Sequence, residues 1–162
     1  MTQFRIATPE DADDVARLDE HLMAVHRRAW PHLFAENPTG QSDPPHWLSE
    51  LQSSQARVFV AERDGTIVGF VSVRLAVEGH AHLRPMKYAL VPSLVVAEPY
   101  RSMGIGSRLM ALAEEWSTSE GAQEARLSVW AFNEGALHLY QAGGYQVRAH
   151  FLGKPLTAAD AR

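Results

Sequence analysis

The order of patterns along the chain predicts an α/β (α+β) fold, with elements in the order β-α-α-β-β-β-α-β-α-β. Three stretches carry that reading. The first runs from the apolar β-branched residues Leu94, Val95 and Val96, through the turn Glu98-Pro99-Tyr100 and a glycine loop (Arg101, Gly104, Gly106), into a helical pattern. The second is the pair of β-rich runs at Arg57 to Arg63 and Thr66 to Leu75, separated by Asp64-Gly65, a strong hairpin signal that predicts antiparallel pairing. The third again reads strand, Asn cap, helix and Gly-Gly stop, from Leu127 through Asn133 to Gly143-Gly144.

The remaining elements follow in order. Gln3 to Ala7 is a short strand with Phe4 and Ile6 on one face. Thr8-Pro9-Glu10-Asp11 starts a helix, with Thr as cap, Pro at the first helical position and acids in the first turn. Val15, Leu18, Leu22, Val25 and Ala29 extend it to Trp30, where Pro31 ends it. His21, His26, Arg27 and Arg28 lie on its later turns, either as solvated rim residues or as the lining of an acceptor pocket. Phe34 to Ser42 is loop, and Asp43-Pro44-Pro45 opens a second helix with Trp47, Leu48 and Leu51 on its apolar side. Trp30, Phe34 and Trp47 are either core or an apolar wall over a binding site. Val77 to Met86 is a loop holding Glu78, His80 and His82; with no third ligand and no cysteine, these histidines do not suggest a metal site. Lys87 to Val96 is a strand in which Pro92 cannot donate a ladder hydrogen bond, so it marks an edge or a bulge. Ile105, Leu109, Leu112 and Trp116 give the next helix one face, and Gly121 stops it. Gly144 to Lys154 is expected to form a last strand burying Tyr145, Val147 and Phe151, before a frayed tail at Thr157 to Arg162.

At 162 residues the chain is one domain, 1–162, long enough to bury a core. Its 46% hydrophobic and 21% charged residues are a globular composition, and no run approaches the ~20 apolar residues of a membrane span. No apolar run follows the early Arg5, so a cytoplasmic protein is expected. The absence of cysteine excludes disulfides, thiolate metal sites and an acyl-cysteine intermediate. A net charge of −4 gives no general attraction for nucleic acid or an anionic membrane.

The glycine loop has a chemical meaning of its own. A helix N-terminus presents unpaired N–H groups and partial positive charge, and Gly104 and Gly106 let a phosphate approach them, with Arg101 as a cation at the mouth. The motif R-x-x-G-x-G is neither a Walker loop nor the G-x-G-x-x-G of dinucleotide binders. Taken with the run Leu127 to Tyr145, it resembles the GNAT superfamily of N-acetyltransferases, closely over about Lys87 to Tyr145 and loosely over the N-terminal half.

That resemblance implies a central mixed, mostly antiparallel sheet of about six strands flanked by about four helices. It divides the chain into an acceptor-side region at about 8–54 and an acetyl-coenzyme A-binding core at about 87–145. The cosubstrate is acetyl-coenzyme A, with no metal. Its pyrophosphate would sit on the amides of Ser102, Met103, Gly104, Ile105, Gly106 and Ser107 beside Arg101, and its pantetheine arm would add to Leu94, Val95 and Val96 like an extra strand, close to the family's bulge. A backbone N–H there would face the thioester oxygen as charge develops. Asn133 would contact the cofactor, and Tyr140, about two turns later on the same side, would protonate the departing sulfur. Read without the resemblance, Asn133 is a helix cap and Tyr140 a core aromatic.

The function so implied is direct transfer of acetyl to a primary amine of a small molecule or of a peptide or protein. The alternative is a non-catalytic acyl-coenzyme A sensor or interaction module of the same fold. Ser128 stands where relatives that acetylate protein N-termini carry a glutamate base, five residues before the Asn, which weakens a protein N-terminus as acceptor. Glu78, His80, His82 and Glu98 are the candidates for the base. The expected partner is an amine acceptor, with no nucleic acid or membrane, and a homodimer is left open.

Overall fold

The computed structural model describes residues 1–156; the expected tail at 157–162 lies outside them. Five strands form one sheet in the order β1-β2-β3-β4-β5: β1 Gln3–Ile6, β2 Ala56–Arg63, β3 Thr66–Val77, β4 Lys87–Val96 and β5 Glu124–Arg126. Helices are α1 Ala12–Ala29, α2 Pro44–Gln52, α3 Ile105–Ser119 and α4 Glu134–Ala142. The hairpin closes as the sequence predicts, with Arg63 opposite Thr66 and both Asp64 and Gly65 at positive φ, as a type I′ turn requires. β1 to β4 pair antiparallel; β4 and β5 are parallel, with α3 as the crossover between them.

The run Val58 to Ala61 is apolar at every position because both sheet faces are covered. Val58, Val60, Phe70 and Val95 pack under Val15, Leu18 and Trp47 of α1 and α2, while Phe59, Ala61, Val71, Val73 and Val91 meet Ile105, Leu109, Met110 and Ala113 of α3. Val68 is the extra residue of a bulge opposite Ala61 and Glu62, which is why it and Phe70, two positions apart, lie on opposite faces.

Thr8 caps as expected, but the first turn is a 3₁₀ turn at Pro9–Asp11, and Asp11 is drawn inward. Its carboxylate, on a residue only 8% exposed, accepts from the Thr8 backbone N–H at 2.7 Å and from both terminal nitrogens of Arg5, which also reaches Glu62 at 2.9 Å. The Arg5 guanidinium thereby holds Asp11 below the usual carboxylate range, with desolvation opposing. A folded-state pKa below the unfolded one contributes stability above the ordinary aspartate value of about 4, lost as pH falls through the folded value. Asp11→Ala is therefore expected to lower stability by about 1–2 kcal/mol at neutral pH through lost capping and pairing, and to do less at acid pH, as checked by denaturant titration at two pH values.

Three expectations are corrected. The apolar stripe of α1 stops at Leu22: Val25 and Ala29 are exposed, and His26 is buried in their place. The strand read from Leu127 onward lies three residues earlier, at Glu124–Arg126, and the Leu127 to Trp130 run leaves the ladder. No strand forms over Gly144 to Lys154; Val147 is 53% and Phe151 94% exposed, so of these only Tyr145 finds cover, and the sheet has five strands instead of six. Alternation tells which face a strand would bury; it does not supply a neighbouring edge.

Candidate active site

β4 is where the sheet opens. It pairs with β5 only at Tyr88, Ala89 and Leu90, so among the described residues Val91 to Val96 have β3 on one side and no strand on the other. Val91 and Pro92 together oppose Val73, which is a bulge with the proline inside it; the bulge expected close to Leu94–Val96 thus lies a few residues earlier. A proline has no N–H to lose, so its place in the bulge costs the ladder nothing. Ala97 N–H donates to Val68 O on the β3 side, and alternation then turns the peptide groups of Leu94 and Val96 toward the opening. Arg101 Nε donates to Val96 O at 3.1 Å, which fixes the guanidinium there.

The loop that follows holds two left-handed residues, Ser102 at φ 60° and Gly104 at φ 78°. Such alternation turns successive N–H groups toward one concave side, and a serine in this conformation is strained. The first helical bond of α3 is Arg108 N–H to Gly104 O, so the N–H groups of Ile105, Gly106 and Ser107 have no partner within the helix. The two glycines have different reasons. A Cβ at Gly104 would meet nothing within 4 Å, so this position faces open space; one at Gly106 would come within 3.0 Å of Leu139 Cδ1 and near Val96 and Leu94. Gly106 therefore lets α3, α4 and β4 close on one another, and Gly104 alone keeps the approach to the amides clear. The side chains of Ile105 and Val95 are core; Leu94 and Val96 are half-buried, and those of Ser102, Met103 and Ser107 are exposed.

Asn133 caps α4, its Oδ1 accepting from Ala136 N–H at 3.1 Å. At the other end, Gly144 N–H donates to Gln141 O and Tyr145 N–H to Tyr140 O, with Gly144 at φ 92°: a Schellman stop. The stop lays the Tyr145 ring edge-on against Tyr140, centroids 5.8 Å apart, and Tyr145 Oη donates to Glu114 Oε1 on α3 at 2.8 Å. Tyr140 lines a cleft of about 260 Å³ between α3 and α4, together with Ser107, Met110, Glu114, Leu139 and Tyr145. Burial alone raises the Tyr140 phenol above its ordinary value, so it stays protonated through the neutral range.

Across the sheet, α1 presents an acid the sequence reading missed and a histidine it named without its surroundings. Asp19 is a residue of α1, and burial raises its carboxyl above the ordinary aspartate range, opposed by Trp47 and His46 of α2. An acid four residues after Val15 and three before Leu22, on the apolar stripe, was the available signal. Further along, His26 donates from Nδ1 to Leu22 O and packs against Phe34 and Phe132, with ring centroids 5.2 Å away in each case, and against Trp130. This joins α1 to the segment leading into α4. Of the three early aromatics, Trp47 is core against Phe70, Phe34 belongs to the His26 group, and Trp30 lies at the surface beside His32. His21 and Arg28 are exposed, and Arg27 pairs with Glu20.

Among the residues considered as base, Glu78 is bound to Arg126 at 2.6 Å, which holds it below the usual carboxylate range and makes it a poor proton acceptor. His80, His82 and Glu98 are exposed on turns, and Ser128 is exposed beside the opening. No group of three or more His, Cys, Asp or Glu able to hold a metal occurs among the described residues, and no helix there is long and apolar enough to cross a membrane.

Comparison with known proteins gives the same assignment from outside the structure. The family model for the acetyltransferase (GNAT) family matches residues 17–145. The chain is 32% identical to an N-alpha-acetyltransferase of Sulfurisphaera tokodaii, over 89% of this chain and 80% of that protein. It is 30% identical to an aminoalkylphosphonate N-acetyltransferase of Salmonella typhimurium, over 93% and 88%. Among solved structures, a mutant of the BH1408 protein from Bacillus halodurans superposes with a TM-score of 0.89 at 22% identity, over 96% of this chain and 99% of that one. With an opened β4, a left-handed glycine before α3 and a family match that runs from α1 through α4, the chain belongs to the acetyltransferase (GNAT) family.

Proposed function

We propose that the protein moves an acetyl group from acetyl-coenzyme A directly to a primary amine. The observation that carries this reading is the opening between β4 and the Leu127 to Trp130 segment, which ends at the N-terminus of α3. A pantetheine arm has two amides spaced along an extended chain, and the outward peptide groups of Leu94 and Val96 are the partners such a chain needs. The pyrophosphate then reaches the amides of Ser102 to Ser107, where Gly104 leaves room. Asn133, occupied by Oδ1 in capping, retains its amide nitrogen for the cofactor. Tyr140 donates a proton to the departing sulfur, and its burial keeps that proton in place until it is needed.

The acceptor enters from the side of α1 and α2, where Asp19 offers a carboxylate to an amine and, having its pKa raised, is also the better proton acceptor than Glu78. The two named relatives differ in acceptor by their names, one an N-alpha-acetyltransferase and the other acting on an aminoalkylphosphonate. Ser128 in place of a glutamate favours the small-molecule side, because a serine hydroxyl takes no proton at neutral pH without help. Free-thiol release from acetyl-coenzyme A over a panel of small amines and peptides separates transfer from mere binding; no release with any amine would leave a binding module.

Acetyl-coenzyme A is expected to stabilise the fold. At a hundredfold excess over its dissociation constant, linkage gives about 2.7 kcal/mol, or several degrees in melting temperature. A melting curve unmoved by millimolar cofactor would remove the cofactor assignment.

A further inference from the structure

The far wall of the opening beside β4 is not held by the sheet. β5 ends at Arg126, and from Ser128 to Phe132 the backbone makes no hydrogen bond with another element among the described residues; the bond from Asn133 N–H to Trp130 O is internal to the turn before α4. Side chains hold this segment instead. Leu127 packs on the α3-side core at one end, while Trp130 and Phe132 at the other reach across to α1 and meet the ring of His26. That residue is only 9% exposed, and it lies four positions after Leu22, where the stripe of Val15, Leu18 and Leu22 would continue with an aliphatic side chain.

An imidazole does here what an aliphatic group could not. Its planes stand at 68° to Phe34, 83° to Trp130 and 81° to Phe132, the near-perpendicular arrangement in which the positive edge of one ring meets the negative face of another. Such contacts are directional. Nδ1 must carry the proton, because the Leu22 carbonyl 2.8 Å away can only accept, and this bond sets the angle of the ring to its own helix. Phe34 closes the group with its centroid 4.9 Å from that of Trp130, so the loop after α1 is joined to the same wall. We propose that His26 is a positioning residue for the acyl-bearing arm of the cofactor: through Trp130 and Phe132 it sets how far the wall at 127–130 stands from β4, and so the width of the opening that takes the arm. This rests on the acetyl-coenzyme A reading given above. The pyrophosphate belongs, on that reading, to the glycine loop before α3, to which the His26 group contributes no residue. The two ends of the cofactor therefore respond differently to His26.

Calorimetric titration of the full chain with coenzyme A and with ADP, which has the pyrophosphate and no arm, tests this. In His26→Ala the affinity for coenzyme A is expected to fall roughly tenfold, the size set by losing one or two directional ring contacts, while the affinity for ADP stays at the wild-type value. His26→Phe, which keeps a ring among the other three, is expected to restore most of the loss. Fluorine NMR of fluorotryptophan-labelled protein, with the Trp130 resonance identified through Trp130→Phe, follows the wall itself: that resonance should shift and broaden in His26→Ala and return in His26→Phe. Phe34→Ala removes the loop side of the same group and leaves α1 whole, and it is expected to act in the same direction, so a His26→Ala protein that fails to fold still leaves a decisive measurement. Unchanged coenzyme A affinity in the folded variants, equal loss for coenzyme A and ADP, an unmoved Trp130 resonance, or a His26→Phe protein as weak as His26→Ala would each overturn the proposal. A wild-type protein that binds no coenzyme A would remove the cofactor reading first and this inference with it.

Discussion

Replacing Tyr140 with phenylalanine is expected to lower turnover by roughly ten- to a thousandfold, near the ~10² to 10⁴ that general acid catalysis supplies, while affinity for acetyl-coenzyme A changes little. The coenzyme leaves with its charge localised on sulfur, and the reading above assigns the phenol to meet that charge. Phenylalanine keeps the ring, so the edge-on contact with Tyr145 and the walls of the α3–α4 cleft persist. The hydroxyl's raised pKa comes from burial alone, with no charged or hydrogen-bonding neighbour contributing, so its removal strands no partner inside the protein. Melting temperature should accordingly move little. Turnover equal to wild type would leave Tyr140 as a packing residue and hand the proton to water; a large loss of cofactor affinity would show that the ring, not the proton, was the contribution.

The second large effect is expected at Gly104. Valine there must hold φ near 78°, which costs a branched residue about 1–2 kcal/mol, and its side chain would project into the space the glycine leaves open before the α3 amides. Loss of two charge-assisted hydrogen bonds to a phosphate, at ~1.5–3 kcal/mol each, corresponds to an affinity loss of roughly a hundredfold or more. Calorimetric titration with coenzyme A measures it, and Gly104→Ala separates the two causes, since alanine carries much of the backbone strain and little of the bulk. A folded Gly104→Val protein that binds at wild-type strength would reduce the loop to a turn. Gly106→Val is a different experiment: it would push α3 off Leu139 and is expected to fail in stability first.

What could be read in the sequence divides by range. Asp64-Gly65, Thr8 with its acids and Gly143-Gly144 act within a few residues, and each formed the turn or cap its chemistry dictates. The four helices and their order were legible for the same reason. Pro92 announced a bulge, although only the β3 register shows that it shares the bulge with Val91 opposite Val73. The glycine loop was legible as a motif, and the different surroundings of Gly104 and Gly106 were not, because Leu139, which decides them, lies 33 residues further on. Asp19 and His26 escaped for a similar reason. Their surroundings are Trp47 in one case and Phe34, Trp130 and Phe132 in the other, partners that no local spacing reveals. The missing sixth strand is the extreme case: the alternation from Gly144 to Lys154 predicts a strand, and the segment forms none.

Helix α4 has a cap at each end and not one fully buried side chain. It is held to the body by Leu139 against Gly106, by Leu139, Tyr140 and Tyr145 packing on the α3-side core, and by Tyr145 reaching Glu114. Global stability resides instead in the two cores on either side of β2 and β3, to which α4 adds only its margin. Robustness and competence are therefore separable properties in this molecule. The chain can tolerate sequence drift around α4 without unfolding, and, on the role proposed for Tyr140, the aim of its hydroxyl will degrade long before thermal denaturation registers any change, so an inactive relative with an unaltered melting curve is the failure this architecture makes most accessible.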